Sequence, residues 1–232
     1  MAMRVIPVID LKDGVVVRAR AGDRASYRPI VSPLCRSASA SDVVDGLFGV
    51  HPFEALYIAD LDAIEGRGGN RPLAAALLKA RPGLEIWLDE GAADAAMAAG
   101  AAAMGVRPVI GSESQTGPET LAAAGPDAVL SLDFRDGFVG PEAILTTPSA
   151  WPRDVIVMTL ARVGTDGGPD EARLSAVREA AGPGRRVFAA GGVRGEDDLV
   201  RLKAAGIAGA LVATALHDGR LDGAALARLA GA

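Results

Sequence analysis

The sequence predicts an α/β fold, a single (β/α)8 TIM barrel assembled from two half-barrels. Three observations carry that prediction. Eight short apolar runs alternate with eight Ala- and Leu-rich stretches of helical character along the 232 residues. Most of the runs are continuous rather than alternating in polarity, as parallel strands covered on both faces are. The pattern also repeats. YIADLD (57–62) faces VMTLAR (157–162) at an offset of 100, WLDEG (87–91) faces FAAGG (188–192) at 101, and VIGSE (109–113) faces LVATA (211–215) at 102. Two (βα)4 halves, about 1–125 and 126–232, explain a nearly constant offset within one domain. The right-handed crossover rule leaves a doubly wound open sheet as the alternative.

In order, the strands are VIPVIDL (5–11), ALYIADL (55–61), EIWLD (85–89), PVIGS (108–112), AVLSLDF (128–134), VIVMTL (155–160), RVFAA (186–190) and GALVAT (209–214). Helices are expected at 41–49, 71–80, 92–104, 118–124, 141–145, 169–181, 195–205 and 222–230. Thr116 with Glu119 makes a capping-box pattern before the fourth. Asp170 and Glu171, then Glu196, Asp197 and Asp198, place acid in first turns, where the helix dipole favours it. Ala92–Ala103 is low in complexity, but alanine is the strongest helix former, so it reads as a packed helix and not a linker.

The register breaks once. Asp10 and Asp133 both end the first strand of a half, yet they stand 123 residues apart. The surplus falls at 14–35, GVVVRARAGDRASYRPIVSPLC, which alternates like a hairpin and carries Arg18, Arg20, Arg24, Tyr27 and Arg28. Hanging from the carboxyl end of strand 1, it is expected to be a mobile lid over the barrel mouth; the alternative is a structural flap or an oligomer contact.

Composition narrows the function classes. Half the residues are hydrophobic and 23% are charged, an ordinary globular balance, and only 4% are aromatic. The net charge of -5 and a pI near 5.1 argue against a phosphate-backbone footprint. The single cysteine, Cys35, excludes an internal disulfide framework and suits the cytosol. Charges interrupt the opening MAMRVIPVIDLKDG before a signal-peptide core can form, and no run approaches the roughly 18 apolar residues of a membrane span. The expectation is a cytoplasmic protein acting on a small molecule, with neither nucleic acid nor membrane as partner. Its Ala-rich helices offer faces for a homo-oligomer.

Catalytic groups of such a barrel come from the carboxyl ends of strands and the loops that follow. Those positions hold Asp10 and Lys12, Asp60 and Asp62, Glu90, Ser112 and Glu113, Asp133 and Arg135, Arg162 and Thr165, Gly191 and Gly192, and Thr214. Arg18 reaches the same face from the lid. Asp10 and Asp133 come from opposite sides of the ring and point at a shared centre. Two carboxylates flanking a substrate can divide the roles of general base and general acid; alternatively each ties down its own loop. AAGGVRGEDD (189–198) carries a phosphate signal, because glycines let backbone N–H groups approach an anion at a helix start. Asp60, Asp62 and Glu90 are a weaker Mg²⁺ pattern, since close carboxylates more often hold loops. His51 and His217 are too isolated for a metal site and read as surface histidines, while Trp87 and Trp151 read as packing. Neither a metal nor a cofactor is called for.

VIPVIDLKDGVVVRARAGD, YIADLDAIEGRGGN, SLDFRDG, ARVGTDGG and AAGGVRGEDDLVRLKAAG together resemble the histidine-biosynthesis barrel family, in particular its phosphoribosylformimino aminoimidazole carboxamide ribotide isomerases. The resemblance covers nearly the whole chain. It implies an Amadori rearrangement, with Asp10 as general base, Asp133 as general acid, Thr165 as a support near the acid, and Gly191, Gly192 and Thr214 around a phosphate. That isomerase holds a phosphate at each end of its substrate, using glycine-rich loops in both halves. Here the strand-3 loop reads Asp89-Glu90-Gly91 where Gly-Gly-Gly is expected, Val163 stands where an Asp is usual, and Ala213 where a Gly is usual. A carboxylate at a dianion site is repulsive, so the first phosphate site is expected to be lost, with Glu90 as the cause; Glu90 pairing with Lys12 or a lid arginine is the alternative. LYIADLDAI, VIGSES and LVATALHDGRL are closer to a divergent branch found in methanogens and in methylotrophs with tetrahydromethanopterin-linked one-carbon metabolism. Three functions follow: an Amadori-type aldose–ketose isomerase for a single-phosphate sugar or ribosyl substrate, a genuine histidine-biosynthesis isomerase, or a non-catalytic anion-binding regulatory or assembly subunit.

Overall fold

The computed structural model describes residues 3–231. Eight parallel strands follow one another around a ring: β1 (Arg4–Lys12), β2 (Ala55–Asp60), β3 (Glu85–Asp89), β4 (Arg107–Gly111), β5 (Val129–Phe134), β6 (Asp154–Thr159), β7 (Arg186–Ala190) and β8 (Gly209–Val212). β8 pairs back onto β1, with Ile6 opposite Leu211, so the sheet is a closed barrel and the open doubly wound alternative falls away. The outer helices are α1 (Ala40–Val50), α2 (Arg71–Ala80), α3 (Ala95–Ala103), α4 (Glu119–Ala124), α5 (Glu142–Thr146), α6 (Glu171–Ala181), α7 (Glu196–Ala204) and α8 (Gly223–Gly231). α4 opens on Pro118 with no side-chain cap, so the Thr116–Glu119 capping box does not form. Elsewhere short polar residues cap as expected: Asp94 accepts the Met97 N–H and Asp170 that of Arg173.

Strand parity divides the core in two. Ile6, Tyr57, Trp87, Val109, Val129, Ile156, Phe188 and Leu211 fill the barrel, while the residues between them, such as Leu56, Ile86, Leu88 and Leu130, pack outward on the helices. Trp87 and Phe188 meet edge to face at 5.0 Å, as packing residues. At the amino ends of the strands Asp154 takes Arg186 at 2.6 Å and Arg107 at 2.7 Å, and Arg107 reaches Glu85 at 2.7 Å. These pairs seal the barrel floor.

The surplus after β1 is a hairpin. Val15–Arg18 pairs antiparallel with β1 and with Arg28–Pro29, and Arg24–Ser26 forms a 3-10 turn. Its tip lies over the mouth, where the Ala21 N–H donates to the Val163 carbonyl at 2.8 Å. The second half carries a miniature of it, Phe138–Val139 folded back on β5.

Candidate functional site

Following the inward rows of β1, β3 and β5 to the open end of the barrel leads to an acid in each. Two residues beyond Trp87 lies Asp89, four beyond Val129 lies Asp133, and four beyond Ile6 lies Asp10. These three line one cavity with Tyr57, the flap residues Arg18, Arg24 and Tyr27, Arg135, Thr165, Gly191, Gly192, Thr214 and His217. The room under the flap is about 120 Å³, less than the roughly 150 Å³ that admits benzene.

The two acids singled out from sequence are held differently. Asp133 is clamped: Ser131 donates to Oδ1 at 2.7 Å, and the Glu113 N–H donates to Oδ2 at 3.1 Å. Ser112 accepts the Asp133 N–H at 2.9 Å and places its own hydroxyl 3.1 Å from Oδ2. Asp10 has no such clamp among the described residues and faces Arg24. Burial pushes both carboxyls up to about 7, with Asp89 adding to the rise in each and Arg24 opposing it at Asp10. Asp89, pushed by burial up to about 6, accepts the Tyr57 hydroxyl at 2.9 Å and the Gly91 N–H at 3.2 Å. Arg24 pairs with Glu113, so the flap brings the cation that faces this acidic side.

Most of the other sequence candidates sit outside the cavity. Glu90, 3% exposed, does not face the barrel mouth. It has the outward parity of Ile86 and Leu88, and Arg71 of α2 grips it with two bonds of 2.7 and 2.6 Å. Neither Lys12 nor a lid arginine is its partner; Lys12 instead donates to the Arg24 carbonyl at 2.7 Å and anchors the flap. Asp60 accepts Asn70 Nδ2 at 2.7 Å and the Ala63 N–H at 3.2 Å, and Asp62 accepts the Asp13 N–H at 2.8 Å. Both hold loops. No metal-ligating cluster occurs among the described residues. Arg162 ties its loop to the carbonyls of Gly168 and Pro169 at 2.9 and 2.7 Å. Thr165 lines the cavity, but its hydroxyl donates to the Arg162 carbonyl at 3.0 Å; the supports of Asp133 are Ser112 and Ser131.

On the opposite side, Gly191 (φ +98°) and Gly192 (φ +84°) turn the chain tightly after β7. A Cβ at Gly191 would lie 2.6 Å from the Thr159 carbonyl oxygen, and one at Gly192 2.2 Å from that of Gly168. No side chain fits either place. Among the described residues nothing accepts the Gly192 or Val193 N–H. Ala213, where the family pattern has a glycine, has φ −122°, so its side chain is accommodated without strain. Sequence reading also misplaced His217: it is 2% exposed and lines the cavity rather than the surface.

The arrangement suits proton transfer at the centre of an anchored small molecule. A family model described as "Histidine biosynthesis protein" matches residues 4–222. The chain is 31% identical to the 1-(5-phosphoribosyl)-5-((5-phosphoribosylamino)methylideneamino) imidazole-4-carboxamide isomerase of Streptococcus sanguinis, over 96% of each protein. It is 33% identical to the isomerase of the same name from Novosphingobium aromaticivorans, over 95% of this chain and 96% of that one. An uncharacterized protein of Methanocaldococcus jannaschii is 28% identical over 95% and 96%. The chain belongs to the histidine biosynthesis protein family, as an enzyme of isomerase type.

Proposed function

We propose that this enzyme performs an Amadori-type aldose–ketose isomerisation on a sugar or ribosyl substrate carrying one phosphate. The observation that carries the reading is the Asp10–Asp133 pair, one acid from each half, both lining one cavity with their carboxyls pushed up by burial. Asp133 in its protonated form donates to the ring oxygen, and the bond from that oxygen to C1 breaks to leave an iminium. Asp10 in its ionised form removes the proton from C2, giving an enaminol. Proton return at C1 and loss of the C2 hydroxyl proton complete the ketose with no net redox change. Gly191, Gly192 and Thr214 hold the phosphate, which leaves the reacting carbons over the acids. The flap lies over the barrel mouth and lifts to admit substrate, as a lid does.

One phosphate rather than two follows from Asp89. Its carboxylate faces the cavity and already takes the Gly91 N–H that an anion would need. A like-charge contact at 4 Å costs about 4 kcal/mol at an effective dielectric of ~20. The motifs LYIADLDAI, VIGSES and LVATALHDGRL, which resemble the methanogen and methylotroph branch, motivate placing the substrate in one-carbon cofactor metabolism. The test is deuterium uptake from D2O at the sugar carbons of a 5-phosphoribosylamine. Wild type exchanges, and Asp10→Asn and Asp133→Asn lose about 10²–10⁴-fold while keeping their melting profiles. Undiminished exchange in Asp10→Asn removes its role.

A second reading, genuine histidine biosynthesis, is favoured by Glu90 being neutralised by Arg71 and turned away from the cavity. Rescue of a histidine auxotroph lacking the isomerase would establish it and would refute the one-phosphate argument. A non-catalytic anion-binding subunit has no need of the opposed acid pair.

A further inference from the structure

His217 is the residue the proposed mechanism leaves unused, and its hydrogen bonding is incomplete. It ends the one-turn helix Thr214–His217, three residues beyond Thr214, and both residues line the same cavity. Nδ1 lies 2.9 Å from Ser32 Oγ of the flap segment. Ser32 Oγ already accepts the Leu34 N–H at 3.2 Å, and its own proton has no other acceptor among the described residues. The hydroxyl therefore donates to Nδ1, and the ring proton sits on Nε2. That Nε2–H is buried and has no partner among the described residues. Native interiors rarely leave a donor in this state without a ligand or water to fill it. Burial, with Arg18 beside it, lowers the imidazole to about 4, so it is a neutral donor throughout the physiological range. Arg18 lines the same cavity and is held on Asp218 at 3.2 Å.

Resting on the proposed phosphate site at Gly191, Gly192 and Thr214, we infer that His217 is a binding residue whose Nε2–H donates to an oxygen of the bound phosphoryl group. Arg18 supplies positive charge beside it. The flap thereby senses the occupied site twice, through Ser32 behind the imidazole and through Arg18.

The probes are inorganic phosphate and ribose 5-phosphate, titrated calorimetrically and by nitrogen-edited NMR. The chain has only two histidines, so His51 serves as the internal reference. We expect the His217 Nε2–H signal to move on saturation while His51 stays still. His217→Phe should weaken binding about tenfold or more, and His217→Gln, which restores a donor near Nε2, should recover most of it. If His217→Phe binds as wild type does, or the Nε2–H signal is unmoved at saturation, the inference is overturned. Thr214→Val separates the two ideas. Loss of binding in Thr214→Val with full binding in His217→Phe removes only the role of His217. No binding of either probe by wild type removes both.

Discussion

The loops after β3 and β7 occupy equivalent places in the two half-barrels and present opposite chemistry to the same cavity. Asp89 stands opposite Ala190, Glu90 opposite Gly191, and Gly91 opposite Gly192. After β7 two glycines in the left-handed region bring the backbone itself to the cavity wall. After β3 only Gly91 has positive φ; Glu90 is not among the non-glycine residues there, which are Asp13 and Ala21. The β3 loop therefore cannot trace the path of the β7 loop. One wall offers amides, and the other offers a carboxylate that has captured its own amide. The two half-barrels share one scaffold and differ here at Asp89 against Ala190 and Glu90 against Gly191.

The sharpest break of this contrast is Gly192→Ala. Its Cβ would overlap the Gly168 carbonyl oxygen at 2.2 Å in a backbone region alanine avoids. Strain and overlap together should cost about 3–5 kcal/mol, with phosphate binding lost. Gly91→Ala meets Ile64 Cα at 3.0 Å, a milder conflict. It should destabilise less and leave phosphate affinity unchanged. Thermal melts and phosphate titrations on both variants check the pair; equal loss of phosphate affinity would erase the asymmetry.

The outward side of the β3 loop can be tested separately. Arg71→Ala strands Glu90, whose side chain is 4% exposed. Breaking one member of a buried pair costs about 3–5 kcal/mol, and the 40% exposure of Arg71 lowers that toward about 2–3 kcal/mol. Glu90→Gln, which keeps an acceptor and removes the charge, should cost less than about 1 kcal/mol. Neither should change phosphate binding. A gain of a second phosphate in Glu90→Gln would return Glu90 to the cavity and reverse the assignment.

The barrel was legible because eight buried parallel strands cannot avoid writing continuous apolar runs, and the half repeat carried the register. Asp10, Asp133 and the Gly191–Gly192 turn were legible from strand ends and spacing. The Asp89–Glu90 assignment went to the wrong residue, although the signal was present. Trp87 and Asp89 share one parity, Ile86, Leu88 and Glu90 the other, and a residue two beyond a barrel-filling tryptophan must point inward. Alternation splits the loop into one inward and one outward carboxylate, so any repulsion at the cavity comes from Asp89 and not from Glu90. Arg71 lies 19 residues before Glu90 and on a different element, so their pairing needed the packing of α2 on β3. His217 was opaque for the same reason: its hydrogen-bond partner, Ser32, lies 185 residues away.

Asp89 itself gives the smallest of these effects and the most specific one. Its folded-state carboxyl is raised from 3.8 to about 6. Between those values the folded chain keeps a proton that the unfolded chain releases, so stability falls as pH rises through this window and levels off above about 6. Asp89→Asn removes that fall and keeps an acceptor for the Tyr57 hydroxyl. The variant should match wild type near pH 4 and exceed it by on the order of 2 kcal/mol at pH 8. Removing this charge also removes the repulsion by which Asp89 raises Asp10 and Asp133, so the pH profile of any isomerase activity should shift to lower pH. Chemical denaturation at the two pH values reads the first effect. A stability gain that is equal at pH 4 and pH 8 would mean the carboxylate is not strained by its place at the mouth, and the acid wall would lose its physical basis.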